Sequence, residues 1–533
     1  METVKRNDEA LLAGLGYRQE FKRSFTPFEV FGVGFSIIGL FPLSRASVLV
    51  YAIPNGGAVA MVWGWATCAF FLTFIALAMA ELGSAAPTSG GLYYWTFMFS
   101  SPRWRTLLAW IVGYSNTIGN LSAVASVDWG CAVQIMAAVS IGSGLSFAPT
   151  TAQTFGVYVA LLVCHGSICS LAPKVIARLQ TVYVVLNVLL CLVIIIGLPS
   201  ATPHEFRNSA KYAFGSFENV DGWPNGYAFI LSFLAPLWTI GGFDASVHIS
   251  EEATNASVAV PWAIIYSTTS GSVLGWAINV ALAFSMGTDL ESIIDSPIGQ
   301  PMASILFNVF GQRGTLTIWA FVVIIQFMMG TSILTAASRQ SFAFSRDGGL
   351  PFSDVLYRVS ARTGAPVNSV WFTVFNALLL GLLSFAGPSA IGAVFSLAVT
   401  AQFISYSIAI SARFLGGKEF RPGPFTLGIF SPIVAVIAVA WMIFTTVVFL
   451  FPTSPNPSAP DMNWTVVVLG GVITLSVVYF YFPLYGGVYW FTGPIANIGH
   501  GVHAQDSVFQ EPSEKQDDKG SVLAVNVEVT SSL

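Results

Sequence analysis

Twelve predominantly apolar stretches, most of them about twenty residues long, succeed one another between short polar breaks in this 533-residue chain. A run of about 20 apolar residues is what a helix needs to cross the bilayer core. There the backbone finds no water and must satisfy its own hydrogen bonds. The runs fall at about 28–50, 57–82, 105–133, 153–171, 179–198, 226–250, 259–286, 314–338, 367–386, 390–412, 427–451 and 464–486. Only 9% of the residues are charged, against roughly 25% in soluble domains. The sequence predicts an all-α polytopic membrane protein with about twelve transmembrane helices and excludes a large soluble enzyme.

An even number of spans puts both termini on one side. Of the 22 Lys and Arg residues, 18 fall on that side, and only Arg45, Arg207, Lys211 and Arg313 fall opposite. Positive charge is retained in the cytosol, so both termini are expected there. The polar opening METVKRNDEA has no signal-peptide character, leaving the first span as the expected insertion signal. The tail QEPSEKQDDKG has the composition of a disordered segment, and Lys5, Lys515 and Lys519 are candidate ubiquitination sites. The sequon Asn463-Trp464-Thr465 abuts the last span too closely for glycosylation to be expected.

Chemistry that would indicate an enzyme is missing. There is no GxSxG, HExxH or Walker A pattern, and the GGK at 416–418 lacks the rest of a P-loop. Cys68, Cys131, Cys164, Cys169 and Cys191 all lie in apolar stretches without ligand spacing, so they read as buried packing residues. No metal, cofactor or nucleic-acid partner is expected.

Two spans read as interrupted. Span 1, EVFGVGFSIIGLFPLSRAS, carries glycines at 32, 34 and 39 and then Pro42. Span 6, FLAPLWTIGGFDASVHISEE, carries Pro236, Gly241–Gly242 and Asp244. Pro42 can open a second half-helix, and Asp244 can cap one. The breaks lie five spans apart, and an odd offset inverts topology. Broken helices at matching positions of inverted halves mark the binding site of secondary transporters; glycine kinks at helix contacts are the alternative.

Three stretches are more specific. AELGSAAPTSGGLYYW (80–95), HISEEATNASVAVPWAII (248–265) and TSILTAASRQSFAFSRDGGLP (331–351), the last followed by RTGAPVN (362–368), resemble signature elements of amino acid–polyamine–organocation permeases, in the form used by fungal amino acid/choline transporters of the GABA-permease group. The resemblance runs from about residue 25 to 490. It implies a leucine-transporter fold: a tail at 1–25, five-helix halves at 26–200 and 226–412 joined by an outer loop at 201–225, two further helices within 413–490, and a disordered tail at 491–533. It also implies proton-coupled import of a small amino acid, GABA-like compound, choline or polyamine at a fungal plasma membrane; an exporter or internal-membrane carrier uses the same fold. Leu40, Phe41 and Pro42 follow Gly39, where many relatives carry a second glycine, so the usual α-carboxylate clamp is altered.

Substrate-binding candidates follow. Freed amides near Ile38, Gly39, Leu40 and Phe41, and near Gly241, Gly242 and Phe243, suit a carboxylate. Phe243 reads as a hydrophobic gate or as packing. Asp244 reads as an amine or proton site, as a helix cap, or as both. His248, one turn on, shares its face and serves as a proton relay or a packed histidine. Glu251 and Glu252 are expected in inner-gate ion pairs. Tyr114, Asn116 and Asn120 form a polar stripe on span 3 that either faces the cavity or glues helices. Asp128, toward the outer end and followed by Trp129, reads as interfacial or as an acid beside an aromatic that suits an ammonium group. Thr331 and Ser332 line the cavity or bond back to their own helix. Glu81, Arg103 and Arg105 are assigned to a linker with structural roles.

Overall fold

The computed structural model describes residues 2–38, 49–452, 454–458 and 462–497. Gly39, Leu40, Phe41 and Pro42 lie outside the described residues, as do Lys515 and Lys519. Among the described residues the extended elements are all helices, with isolated β-bridges at Phe25–Ala253 and Asn55–Asn219.

Among the described residues, eight helices are long and apolar enough to cross a membrane: Gly57–Ala85, Arg105–Gly142, Thr151–Leu171, Pro173–Ala201, Pro301–Arg346, Val367–Ala386, Pro388–Leu415 and Gly428–Val448. They correspond to spans 2, 3, 4, 5, 8, 9, 10 and 11. Span 7 is the helix Ala256–Ser285, and span 12 is the shorter Thr465–Phe480. Span 1 begins as Pro27–Ile37, with Pro27 at its start and a capping box between Thr26 and Glu29. That arrangement satisfies amides that the first turn leaves free. Span 6 is cut into short pieces, described below. Span 8 begins far earlier than its apolar run: the helix starts at Pro301, leaves helical geometry at Gly311 (φ 64°, ψ −176°) and resumes. Gly311 can hold that positive φ because it has no Cβ.

The structure corrects several expectations at the two ends. Residues 2–25 are more than a tail: the helix Glu2–Gly14, with Leu12 buried, leads into a strap whose Tyr17, Phe21 and Phe25 are buried. Asp8 accepts hydrogen bonds from the amides of Asn255 and Ala256, at the start of span 7, and lies 3.6 Å from Arg23. Residues 491–497, expected at the start of a disordered tail, also pack: Phe491 is buried and the Ile495 amide donates to Asp347. Glu81 belongs to no linker. It ends span 2 fully buried, accepting from Arg413, Thr426, Ser431 and the Leu427 amide. Cys164 is exposed on span 4, while the other four cysteines are buried.

Candidate functional site

The break in span 6 follows from its glycines. The helical piece Leu234–Thr239 ends at Ile240, and a new piece starts only at Ala245. Gly242 between them has φ +76°, and a Cβ there would sit 3.0 Å from the Ile37 side chain of span 1. Among the described residues, the amides of Gly241, Gly242 and Phe243 donate to no other group. Unpaired amides inside a bilayer persist only where they line a cavity or meet a ligand. Gly242→Ala adds strain of about 1–2 kcal/mol and the contact with Ile37, so the purified variant is expected to unfold at a lower temperature than the parent chain, measured by thermal unfolding in detergent.

Asp244 stands at the N-cap position of Ala245–His248 but makes no capping bond, which corrects the expectation of a helix cap. Its carboxylate turns inward instead. Oδ2 accepts from Asn116 Nδ2 of span 3 (3.0 Å) and lies 3.3 Å from His248 Nε2. The buried Tyr406 of span 10 is close enough to interact with it electrostatically and packs on Phe243 with ring centroids 5.6 Å apart. His248 Nδ1 lies 2.9 Å from the carbonyl of Ser89. A carbonyl only accepts, so Nδ1 carries a hydrogen. Nε2 and Oδ2 can then bond only if one further proton resides on the imidazole or on the carboxyl group. The geometry therefore forms a one-proton site in the membrane core.

Beside this cluster is a cavity of about 20 Å³ lined by residues including Ile37, Val127, Gly241, Gly242, Met329 and Gln402. It has room for about one water molecule and none for an amino acid. Trp238, which donates to Ser126 and packs on Phe395 (5.1 Å), covers it from the side opposite the termini. A larger groove of 550 Å³ between spans 10 and 11, walled by Leu108, Phe403, Ile443 and Val447, is apolar and suits lipid tails.

On the terminus side the seal is ionic. Arg346 binds Glu251 with both forks (2.9 and 3.0 Å), and Arg339 Nε donates to Glu252 Oε1 (2.7 Å). Glu251 also accepts from the Ser89 amide and Thr88. Burial pushes the Glu251 carboxyl up, but Arg346 and these donors outweigh burial and hold it below the usual carboxylate range. The strap lies over this seal: Arg346 sits 3.8 Å from the Tyr17 ring, and the Ser24 and Phe25 amides donate to the Glu252 carbonyl. Tyr17 and Tyr93 hydroxyls donate to Asp347 (2.8 and 2.7 Å). At Asp347 burial prevails over Arg346 and these donors, and its carboxyl is pushed up.

The structure thus brings Asn116, Gly241, Gly242, Phe243, Asp244 and His248 together and pairs Glu251 and Glu252 with arginines. Ile38 is buried at the end of the first helix of span 1. Three candidates are used elsewhere. Asn120 Nδ2 donates to the Asn116 carbonyl of its own helix, Thr331 donates to Met328, and Tyr114 donates to the Gly349 carbonyl. Asp128, read as interfacial, is fully buried beside His165. Sequence reasoning missed Tyr406, Gln402 and Gln180. Gln180 Nε2 donates to Ser332 and its Oε1 accepts from Ser36, tying spans 5, 8 and 1 together. An amide at the start of an apolar run was the signal available for Gln180.

A family model described as "Amino acid permease" matches residues 25–473. Over most of its length the chain is similar to the GABA-specific permease of Saccharomyces cerevisiae, 38% identical over 498 residues (92% of this chain, 86% of the other). An uncharacterized amino-acid permease of Schizosaccharomyces pombe is 39% identical over 492 residues (92% and 88%). Amino-acid permease 2 of Neurospora crassa is 34% identical over 514 residues (96% and 92%).

Proposed function

We propose, from the premise that this chain belongs to the amino acid permease family, that it imports a small zwitterionic amino acid, GABA-like compounds included, by proton-coupled alternating access. The observation that carries this reading is the span 6 break, where amides that donate to no described group lie beside a buried acid–histidine pair that needs one proton. The amides of Gly241, Gly242 and Phe243 are suited to the substrate carboxylate, and Asp244 to its ammonium group. Substrate binding at Asp244 competes with His248 for the carboxylate, which links substrate occupancy to the proton. Trp238 and Phe395 act as the outer lid, and the Glu251–Arg346 and Glu252–Arg339 pairs as the inner gate.

The same reading takes 26–200 and 226–412 as inverted halves, with 413–490 supplying two added helices. The excess of basic residues on the terminus side supports cytosolic termini, and the fungal relatives support a fungal plasma membrane. Lys5 is exposed and lies 3.9 Å from Glu9, leaving it accessible to ubiquitination. A cation without a carboxylate, choline or a polyamine, is a second reading. It is favoured by the aromatic pair Phe243–Tyr406 beside Asp244.

The test is uptake of a labelled panel in yeast lacking its own GABA, choline and polyamine permeases, with and without a proton uncoupler. Saturable, uncoupler-sensitive uptake of an amino acid is expected. Uptake of choline or polyamines alone selects the second reading. No uptake by a chain present at the cell surface overturns import and points to export or an internal membrane.

A further inference from the structure

The buried acids of this protein choose their partners by location. Near the terminus-side surface, Asp8, Glu81, Glu251 and Glu252 pair with Arg23, Arg413, Arg346 and Arg339, cations that do not give up a proton. In the membrane core, Asp244 and Asp128 pair with histidines. The second of these pairs plays no part in the site described above. Asp128 of span 3 and His165 of span 4 are each 0% exposed, with Oδ1 and Nδ1 3.0 Å apart. The contact lacks hydrogen-bond alignment, and neither Asp128 Oδ2 nor His165 Nε2 has a hydrogen-bond partner among the described residues.

We propose that Asp128 and His165 form a second proton-binding site, set behind the wall of the central cavity and exchanging one proton during the transport cycle. The inference rests on the reading of the chain as a proton-coupled transporter and adds a site to it. With one shared proton beyond the neutral imidazole's own N–H, the pair has no net charge. Losing that proton to water leaves one uncompensated negative charge, which is costly to bury. Among the described residues, no ion pair links the pair to a permanent cation. The titratable side chains close enough to feel Asp128 are Cys131 on its own helix and Tyr158 and Cys169 on span 4; Tyr158 is committed to the Ala377 carbonyl. Span 8 presents the Phe327 ring and Gly330, and span 9 meets Gly166 next to His165 with Val374 and Trp371. Arg339, roughly 13 Å further along span 8 by helix rise, is already bound to Glu252.

The position gives the proton leverage. Val127 and Met329 line the central cavity, and the next residue of each helix, Asp128 and Gly330, belongs to the pair or lies against it. A Cβ on Gly330 would fall 2.3 Å from His165 Cε1 and 2.7 Å from Asp128 Oδ1. The backbone of span 8 therefore rests on the pair one residue from the cavity wall. Water entering to solvate a deprotonated pair must displace that backbone, which changes the cavity.

Two readouts test the site. In purified full-length protein, an indicator dye counts protons bound per chain as pH is stepped across the range in which the protein stays folded. Asp128→Asn is expected to bind one proton fewer than the unmodified chain, and His165→Gln supplies the same test should the first variant misfold. Equal counts overturn the site, whatever the substrate. In proteoliposomes, a variant that binds one proton fewer should also show a less steep dependence of uptake on external pH. An unchanged pH profile overturns the coupling. A chain that counts protons as expected yet transports nothing identifies failure of the transporter reading instead.

Discussion

Asp244→Asn is expected to lower saturable uptake about 100-fold while leaving the protein at the membrane. Asparagine keeps the shape of the side chain and can still bond one neighbour, but it cannot share a proton with His248 or offer a charge to an ammonium group. The Nδ1–H to Ser89 fixes the ring, so Nε2 cannot turn away to find another partner. Hydrogen bonds to a charged group contribute about 1.5–3 kcal/mol each, and 2.7 kcal/mol in a transition state is about a factor of 100. The check is initial uptake at saturating substrate, normalised to surface protein. Activity within twofold of the parent chain would make the Asp244–His248 pair a packing feature and remove the proposed coupling site.

The second large effect belongs to the terminus-side seal. Glu251→Gln leaves the fully buried Arg346 guanidinium without its carboxylate, a change that costs about 3–5 kcal/mol. The seal also anchors the strap, through Tyr17 on Arg346 and Gln19 on the Glu251 carbonyl. The variant should therefore release residues 15–25, and limited proteolysis there should speed up 100-fold or more. Removing both charges, in Glu251→Gln with Arg346→Gln, should restore part of the protection. Equal cleavage rates in the single variant and the parent would mean that the strap is held independently of the ion pair.

The pH dependence of this latch has a sign. Glu251 has a depressed carboxyl pKa in the fold, so its contribution is complete above the unfolded value of about 4.3 and is lost only as pH falls through the lower folded value. Mild acidification leaves it intact. Asp347 and Glu20 are raised, chiefly by burial. Their contributions are complete below the unfolded carboxylate values and disappear as pH rises through the folded ones. In the same proteolysis assay, mild acidification should slow cleavage of the strap rather than accelerate it.

What could be read in advance was whatever depends on sequence-local physics. Apolar run length located the spans because the bilayer sets a fixed length. The Gly241–Gly242 pair marked the break because two glycines and a nearby acid cannot continue an apolar helix quietly. His248 was placed on the Asp244 face because residues four apart share a helix face. Resemblance of the motifs then supplied the family. Reading Asp244 as a cap failed because local geometry was weighed without the long-range donor, Asn116, which lies 128 positions away.

The sequence by itself determined an all-helical, many-span chain, its family, and the neighbourhood of the span 6 site, because helix periodicity, hydropathy and glycine freedom act between residues close in the chain. Only the tertiary structure decided which charges meet. Arg346 finds Glu251 across 95 positions, Asp128 finds His165 between neighbouring helices, and Tyr17 and Ile495 reach Asp347 beside the seal. Those choices rest on the need of every buried charge for a compensating partner in a medium without water, and that need is met by packing between distant segments, which no local pattern encodes.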